Sequence, residues 1–304
     1  MGKESFRTFT IISSIKAVNI LGKAGYTYST FNIVINSRTL PLTINLNNFN
    51  FSSSNSYAIY TSSTSEIILN IYGSCAIATT ADSRDCISAY NLTISGGTLR
   101  VTGSNRKTTN TTVTAGKGIM VTNNLTINNC ILMANGGNGV VSSSSSNGYA
   151  GVNGGVAIST KYLVVRSSTL TFKGGNGSNG HNGSIGTSGG NGISTSTSGG
   201  SGGTGGSGGK GGNGGVALNV STIQTWSNNR ATLTGGTGGK GGNGGAGGNG
   251  GNGINSGKGG NGGNGGTSGD AGSAGSACNL SISYSNVTLK NGTAGQGGNG
   301  GNGG

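Results

Sequence analysis

Few residues of this chain are equipped for chemistry. His181 is the single histidine among 304 residues and lies inside a glycine-rich run, at GHN. It has no partner set for a triad or a metal site, so it reads as a solvent-facing spacer. Asp82 and Asp85, in ADSRD, are the one close carboxylate pair. Such a pair can bind calcium or share acid and base roles. Arg84 stands between them, which favours a surface ion-pair turn, with calcium as the only cofactor the pair would take. Glu4 and Asp270 are isolated. GxGxxG-like matches arise from the glycine repeat and lack the strand-then-helix setting of a nucleotide site. The expectation is a non-enzymatic protein.

Charge and cysteines narrow the partners. Eighteen Lys and Arg against five Asp and Glu give a net charge of +13. That excess favours acidic partners such as anionic polysaccharide or cell envelope. The charges are dispersed, with no basic stripe interleaved with aromatics, which argues against nucleic acid. The four cysteines lack metal spacing. Cys75 and Cys86 are the only close pair; a disulfide between them competes with buried free thiols, and the thiols are preferred. No stretch is long and apolar enough for a membrane span. The start, MGKESFRTFTIISSIKAVNILGKAG, is interrupted by serines and Lys16 and makes a poor secretion signal. The chain stops inside a glycine repeat, as a fragment or a phage structural protein would.

The elements that would position any site come in two kinds. Residues 1–173 alternate polar and apolar positions, as in FNIVINSRTLPLTINLNNFNF at 31–51, AIY at 58–60 and EIILNIYG at 66–73. This is the pattern of short strands. Pro41 falls between strands. From Cys86 a unit recurs: CISAYNLTISGGTLRVTGSN, then GIMVTNNLTINNCILMANGGNG, VAISTKYLVVRSSTLTFKGGNG, VALNVSTIQTWSNNRATLTGGTGG and ACNLSISYSNVTLKNGTAGQGG. A unit this short cannot fold alone, but stacked copies share one core. The expected fold is all-β: a parallel β-helix with coils about 4.8 Å apart. Leu92, Ile94, Leu125, Ile127, Leu163, Val165, Leu280 and Ile282 would line its interior. Asn91, Asn124 and Asn279 would form a corner ladder, a reading preferred over glycosylation of their N-x-S/T sequons.

The second kind is the glycine-rich insert. Of the 68 glycines, most follow residue 135. One proline in the chain excludes collagen, while flexible disorder is the competing reading. Glycine recurs at every third residue through 174–193 and 235–253, and again through 199–215 and 259–276. Arms of matched length joined by short links suit hairpins of antiparallel polyglycine-II rods, which need glycine where rods touch. The organisation is thus a β-helix stem over 1–173, followed by 174–304, where coils at 156–173, 216–234 and 277–290 carry arms at 174–215, 235–276 and 291–304. The solenoid would set the spacing between rods. Net hydrogen bonds of about 1 kcal/mol each must offset backbone ordering of about 1–2 kcal/mol per residue, so an isolated rod would not be stable.

The motifs over residues 30–172, from LPLTINLNNFNF through CISAYNLTISGGTLRVTGSN to GIMVTNNLTINNCILMA, resemble bacterial cell-surface β-helix proteins of the pectate-lyase-like, polysaccharide-binding type. That resemblance implies a right-handed parallel β-helix that binds glycans, often with calcium. Only Glu66, Asp82 and Asp85 supply carboxylates there. The glycine arms over 174–304 resemble the polyglycine-II bundles of T-even-like phage distal tail-fibre adhesins and of snow flea antifreeze proteins. The phage resemblance implies that the tip loops, Ser194–Ser198 and Ile254–Lys258, contact a receptor.

The functional expectation is a non-catalytic extracellular or cell-surface adhesion or glycan-binding protein. Its binding residues would be Lys210, Lys240 and Lys258 on the arms with Ser194, Thr195, Ile254 and Asn255 at the tips. Lys210 and Lys240 each lie five residues from an arm base and would stand at one height. The rival readings are a structural fibre or surface-layer component that self-assembles, and an ice-binding protein, for which Thr204, Thr237 and Thr267 form only a sparse array.

Overall fold

The computed structural model describes residues 7–23, 25–54, 56–106, 114–140, 148–193, 197–282, 284 and 286–304. Among these the chain is all-β, with twenty strands and no helix, and every ladder is parallel. The alternation read from the sequence is the cause. In Glu66–Tyr72, for example, every second residue is buried, so each strand has one face that must be covered.

Each coil contributes up to three strands. First positions are filled by β1 (Arg7–Ile11), β4 (Phe31–Ile35), β7 (Ile59–Thr61), β10 (Ile87–Ala89) and β13 (Ile119–Val121). Second positions are filled by β2 (Ala17–Leu21), β5 (Leu42–Asn47), β8 (Glu66–Tyr72), β11 (Asn91–Ser95) and β14 (Asn124–Asn128). The continuous strands β16 (Ile158–Arg166) and β18 (Leu218–Ser227) span both positions. Third positions form a separate sheet: β3 (Thr27–Tyr28), β6 (Asn50–Ser53), β9 (Ser74–Thr79), β12 (Thr98–Thr102), β15 (Ile131–Asn135), β17 (Thr169–Lys173), β19 (Arg230–Thr234) and β20 (Val287–Lys290). The result is a parallel solenoid whose coils stack in register.

Stacking lines up like residues inside. Leu42, Ile67, Leu92, Leu125 and Leu163 form one interior row, and Ile44, Leu69, Ile94, Ile127 and Val165 the next. All ten are buried. The third sheet adds Leu99, Leu132 and Leu170 beside Val101, Ala134 and Phe172. At the N-terminal end the core is filled by Phe31, Phe49 and Phe51, whose rings meet at 5.1–5.4 Å. The corner between the second and third strands is sharp. In successive coils it is turned by Asn48, Gly73, Gly97, Asn129, Ser167 and Asn228, all at positive φ, where glycine and asparagine meet the least steric resistance.

The basic N-terminal segment is part of the solenoid, within the stem expected over 1–173: β1 and β2 form the first coil, pairing with β4 and β5. The last unit is less regular than its predecessors. Beyond an isolated bridge from Cys278 to Leu218, its one strand among the described residues is β20, and Leu280 and Ile282 are only partly buried. The four cysteines are free thiols, three of them buried, as the preferred reading of Cys75 and Cys86 had it. The asparagine ladder takes a looser form than expected. Asn91 Oδ1 accepts from the Asn123 side chain and the Asn124 N–H, while Asn279 closes both its bonds on Val220.

Candidate functional site

All glycine-rich segments leave the solenoid at one corner, after β12, β15, β17, β19 and β20. They are neither helix nor strand, yet their backbone polar groups are paired between arms. Residues 174–193, 235–253 and 291–304 run outward, and 197–215 and 257–276 run back. Outward arms bond each other in parallel. The N–H groups of Gly177, Gly180 and Gly183 donate to the carbonyls of Thr237, Lys240 and Asn243, and those of Gly238, Gly241 and Gly244 donate to Thr293, Gln296 and Asn299. Returning arms do the same, as from Gly205, Gly208 and Gly211 to Asn264, Thr267 and Asp270. The two layers are joined by antiparallel bonds, such as Gly206 to Ser184 and Gly266 to Gly245.

Two residues of each triplet therefore make backbone bonds, and the third carries a side chain to the outside. Where arms touch there is no room for a Cβ: at Gly244 it would lie 2.0 Å from the Gly266 carbonyl oxygen. The N–H of the third residue would be left without a partner, and asparagine supplies one. Asn138 donates its N–H to Asn105 Oδ1, Asn176 to Asn138, and Thr237 to Asn176. Further out, Asn243 donates to Asn182 and Asn299 to Asn243. On the returning face Ser273 donates to Asn213. Amide side chains thus run across the arms in rows. Sequence reasoning missed this role, although the frequency of GGN over other triplets carried the signal.

Lys210 and Lys240 stand at one height, bracketed by bonds from Gly239 to Gly212 and from Gly242 to Gly209. They belong to different layers. Lys240 borders a depression of about 350 Å³ on the outward layer, together with Asn179, Asn182, Asn243, Gln296 and Asn299. Lys210 lies on the returning layer, one arm away from Asp270 in register. Lys258 shares that layer, twelve residues further out, roughly 40 Å along an extended chain. The structure brings none of the three together. Ile254 and Asn255 form a tight turn at the second tip, closed by the Gly257 N–H on the Ile254 carbonyl, with Asn255 at positive φ. Ser194 and Thr195 lie outside the described residues. Beside them Ile193 is 94% exposed, an apolar residue at the tip.

Asp82 and Asp85 do not converge on one site. Arg106 pairs with Asp82 at 3.2 Å, and Lys117 with Asp85 at 3.8 Å. The Lys117 N–H also donates to Asp85 at 2.7 Å. Two carboxylates that already face separate cations leave little for calcium, which needs six to eight oxygen ligands. Among the described residues no group of three or more His, Cys, Asp or Glu could hold a metal. The thiols are no better placed as nucleophiles, since burial raises the pKa of all four, that of Cys130 to about 12. A second depression, about 420 Å³, lies on the solenoid between Glu66, Asn91, Thr93, Asn124 and Thr126. There Glu66 accepts a 2.6 Å bond from Thr93.

No helix among the described residues is long and apolar enough to cross a membrane. No family model matches the chain, and neither a curated protein nor a solved structure matches it significantly.

Proposed function

We propose that the chain is a non-catalytic extracellular adhesion or glycan-binding protein, in which a β-helix displays a two-layer bundle of polyglycine-II hairpins. The carrying observation is the array of amide side chains on the outward layer. In a threefold glycine rod, third positions recur about every 9 Å along an arm, and neighbouring arms repeat near the strand spacing of about 4.8 Å. An amide both donates and accepts. A regular lattice of amides with one cation, Lys240, suits a hydroxyl-rich ligand with an occasional anionic group.

A glycan array on the intact chain tests this, followed by Lys240→Gln and by joint neutralisation of Lys210, Lys240 and Lys258. Binding to anionic polysaccharide is expected to weaken several-fold in Lys240→Gln at low salt, with little further loss in the triple variant. An unchanged profile in both would rule out the arms as the binding face.

A further inference from the structure

The amides that border the outward depression are all turned one way. Asn179, Asn182 and Asn243 take the backbone N–H groups of Lys240, Asn243 and Asn299, each at 2.9 Å. A backbone N–H only donates, so the atom that faces it is the side-chain oxygen. The nitrogen lies on the other branch of the planar amide, and among the described residues it bonds to nothing at these three positions. The lattice between arms thus occupies acceptors and leaves donors for a ligand. Lys240 and Asn243 lie on one arm, and Asn179 and Asn182 stand beside them on the next, held in register by Gly180 and Gly183 donating to the Lys240 and Asn243 carbonyls. The four side chains mark a cell about 9 Å along the arms and about 4.8 Å across them. Among the described residues no carboxylate pairs with Lys240, and the outward arms at 174–193, 235–253 and 291–304 contain no Asp or Glu.

We infer that this cell is an oxyanion subsite, and that the group it takes is a sulfate ester on a polysaccharide. Amide N–H groups around one ammonium match a ligand rich in acceptors, and donors to an anionic oxygen make the stronger kind of hydrogen bond. A sulfate ester carries three terminal oxygens where a carboxylate carries two, so it engages donors from both arms at once. The returning layer supplies a contrast within the same molecule. It repeats the pattern of a lysine followed one triplet later by an asparagine, at Lys210 and Asn213, and the Asn213 oxygen accepts the Ser273 N–H at 3.0 Å. There, however, the Gly211 N–H donates to the Asp270 carbonyl, which sets Asp270 in register beside Lys210. The solenoid depression likewise holds a carboxylate, Glu66. An anion is repelled at both of those places; of the three, the outward cell alone joins free donors to a cation with no acid beside it.

The inference rests on the proposed glycan-binding role and deepens it, and the experiment separates the two. Binding of the full chain to dextran sulfate, to carboxymethyl-dextran of matched charge and to plain dextran is measured by calorimetry at physiological salt. Asn243→Asp is the informative variant: its carboxylate still accepts the Asn299 N–H, while the donor is replaced by an anionic oxygen. Asn182→Asp makes the same exchange on the neighbouring arm, and Asn213→Asp makes it on the returning layer with the same change of charge. Dextran sulfate is expected to bind the wild type more tightly than carboxymethyl-dextran, and to weaken about tenfold in Asn243→Asp and in Asn182→Asp but less than about twofold in Asn213→Asp. All three variants are expected to keep the protease resistance of 235–276. Equal losses in the three variants would show that net charge alone is read, and would overturn the subsite. Plain dextran bound as tightly as dextran sulfate would also overturn it, while leaving the glycan-binding role standing. No binding to any of the three polymers, together with an empty glycan array, overturns both.

Discussion

The asparagines of the arms accept an N–H that the backbone lattice leaves over. Asn243 is typical: its side-chain oxygen takes the Asn299 N–H at 2.9 Å, and its own N–H goes to Asn182. Asn243→Ala is expected to cost up to about 1 kcal/mol, because the bond is exposed, and to speed hydrogen exchange at Asn299 alone. Gly244→Val is a different kind of change. Its Cβ would lie 2.0 Å from a carbonyl oxygen that is itself part of the bundle, so arms must separate, and limited proteolysis within 235–276 should rise sharply. Unchanged resistance would contradict close packing at that point. At the solenoid corner Ser167 is exposed with φ of 48°. Ser167→Gly is expected to stabilise the fold by about 1 kcal/mol, read as a rise in midpoint of thermal unfolding. Cys130 offers a pH signature. Its pKa is raised by burial from 9.0 to about 12, so the unfolded chain loses this proton first as pH rises. The stability tied to it is complete below pH 9 and falls between 9 and about 12. Wild type compared with Cys130→Ala across that window isolates the effect.

The strands were legible because burial alternates strictly within them. Leu92, Ile94, Leu125 and Ile127 fall inside as their spacing requires. The strands of the first coil carry a weaker signal, because four of the five residues of β1 are exposed and its pattern mixes polar and apolar residues. The last unit misled in the opposite sense. It keeps the repeat's composition, yet Leu280 and Ile282 are only partly buried. In the arms, triplet periodicity disclosed which residues touch but not the layering. Lys210 and Lys240 could be placed at one height by counting; assigning them to opposite layers needed the hydrogen bonds between outward arms. The amide rows and the exposed Ile193 likewise depend on which arms are neighbours, which no local pattern encodes.

At the scale of the molecule, solenoid and arms share one spacing. Coils stack at about the 4.8 Å of paired strands, and each coil from β12 onward releases its insert at the same corner. Parallel bonding between outward arms begins immediately above the strands: Gly174 donates to Thr234, the last residue of β19, and Gly235 to Lys290, the last of β20. The ladder of the third sheet therefore continues into the arms without a break in register. A peptide spanning 235–276 has no such base and is expected to be disordered in circular dichroism.

Ordering of the arms by the solenoid into a bonded lattice is read from residue-resolved amide hydrogen exchange. Slow exchange is predicted at the bonded glycines Gly236, Gly239, Gly242 and Gly245 and at Gly292, Gly295 and Gly298. Uniformly fast exchange across 174–215 and 235–276, beside a protected solenoid, would contradict the account.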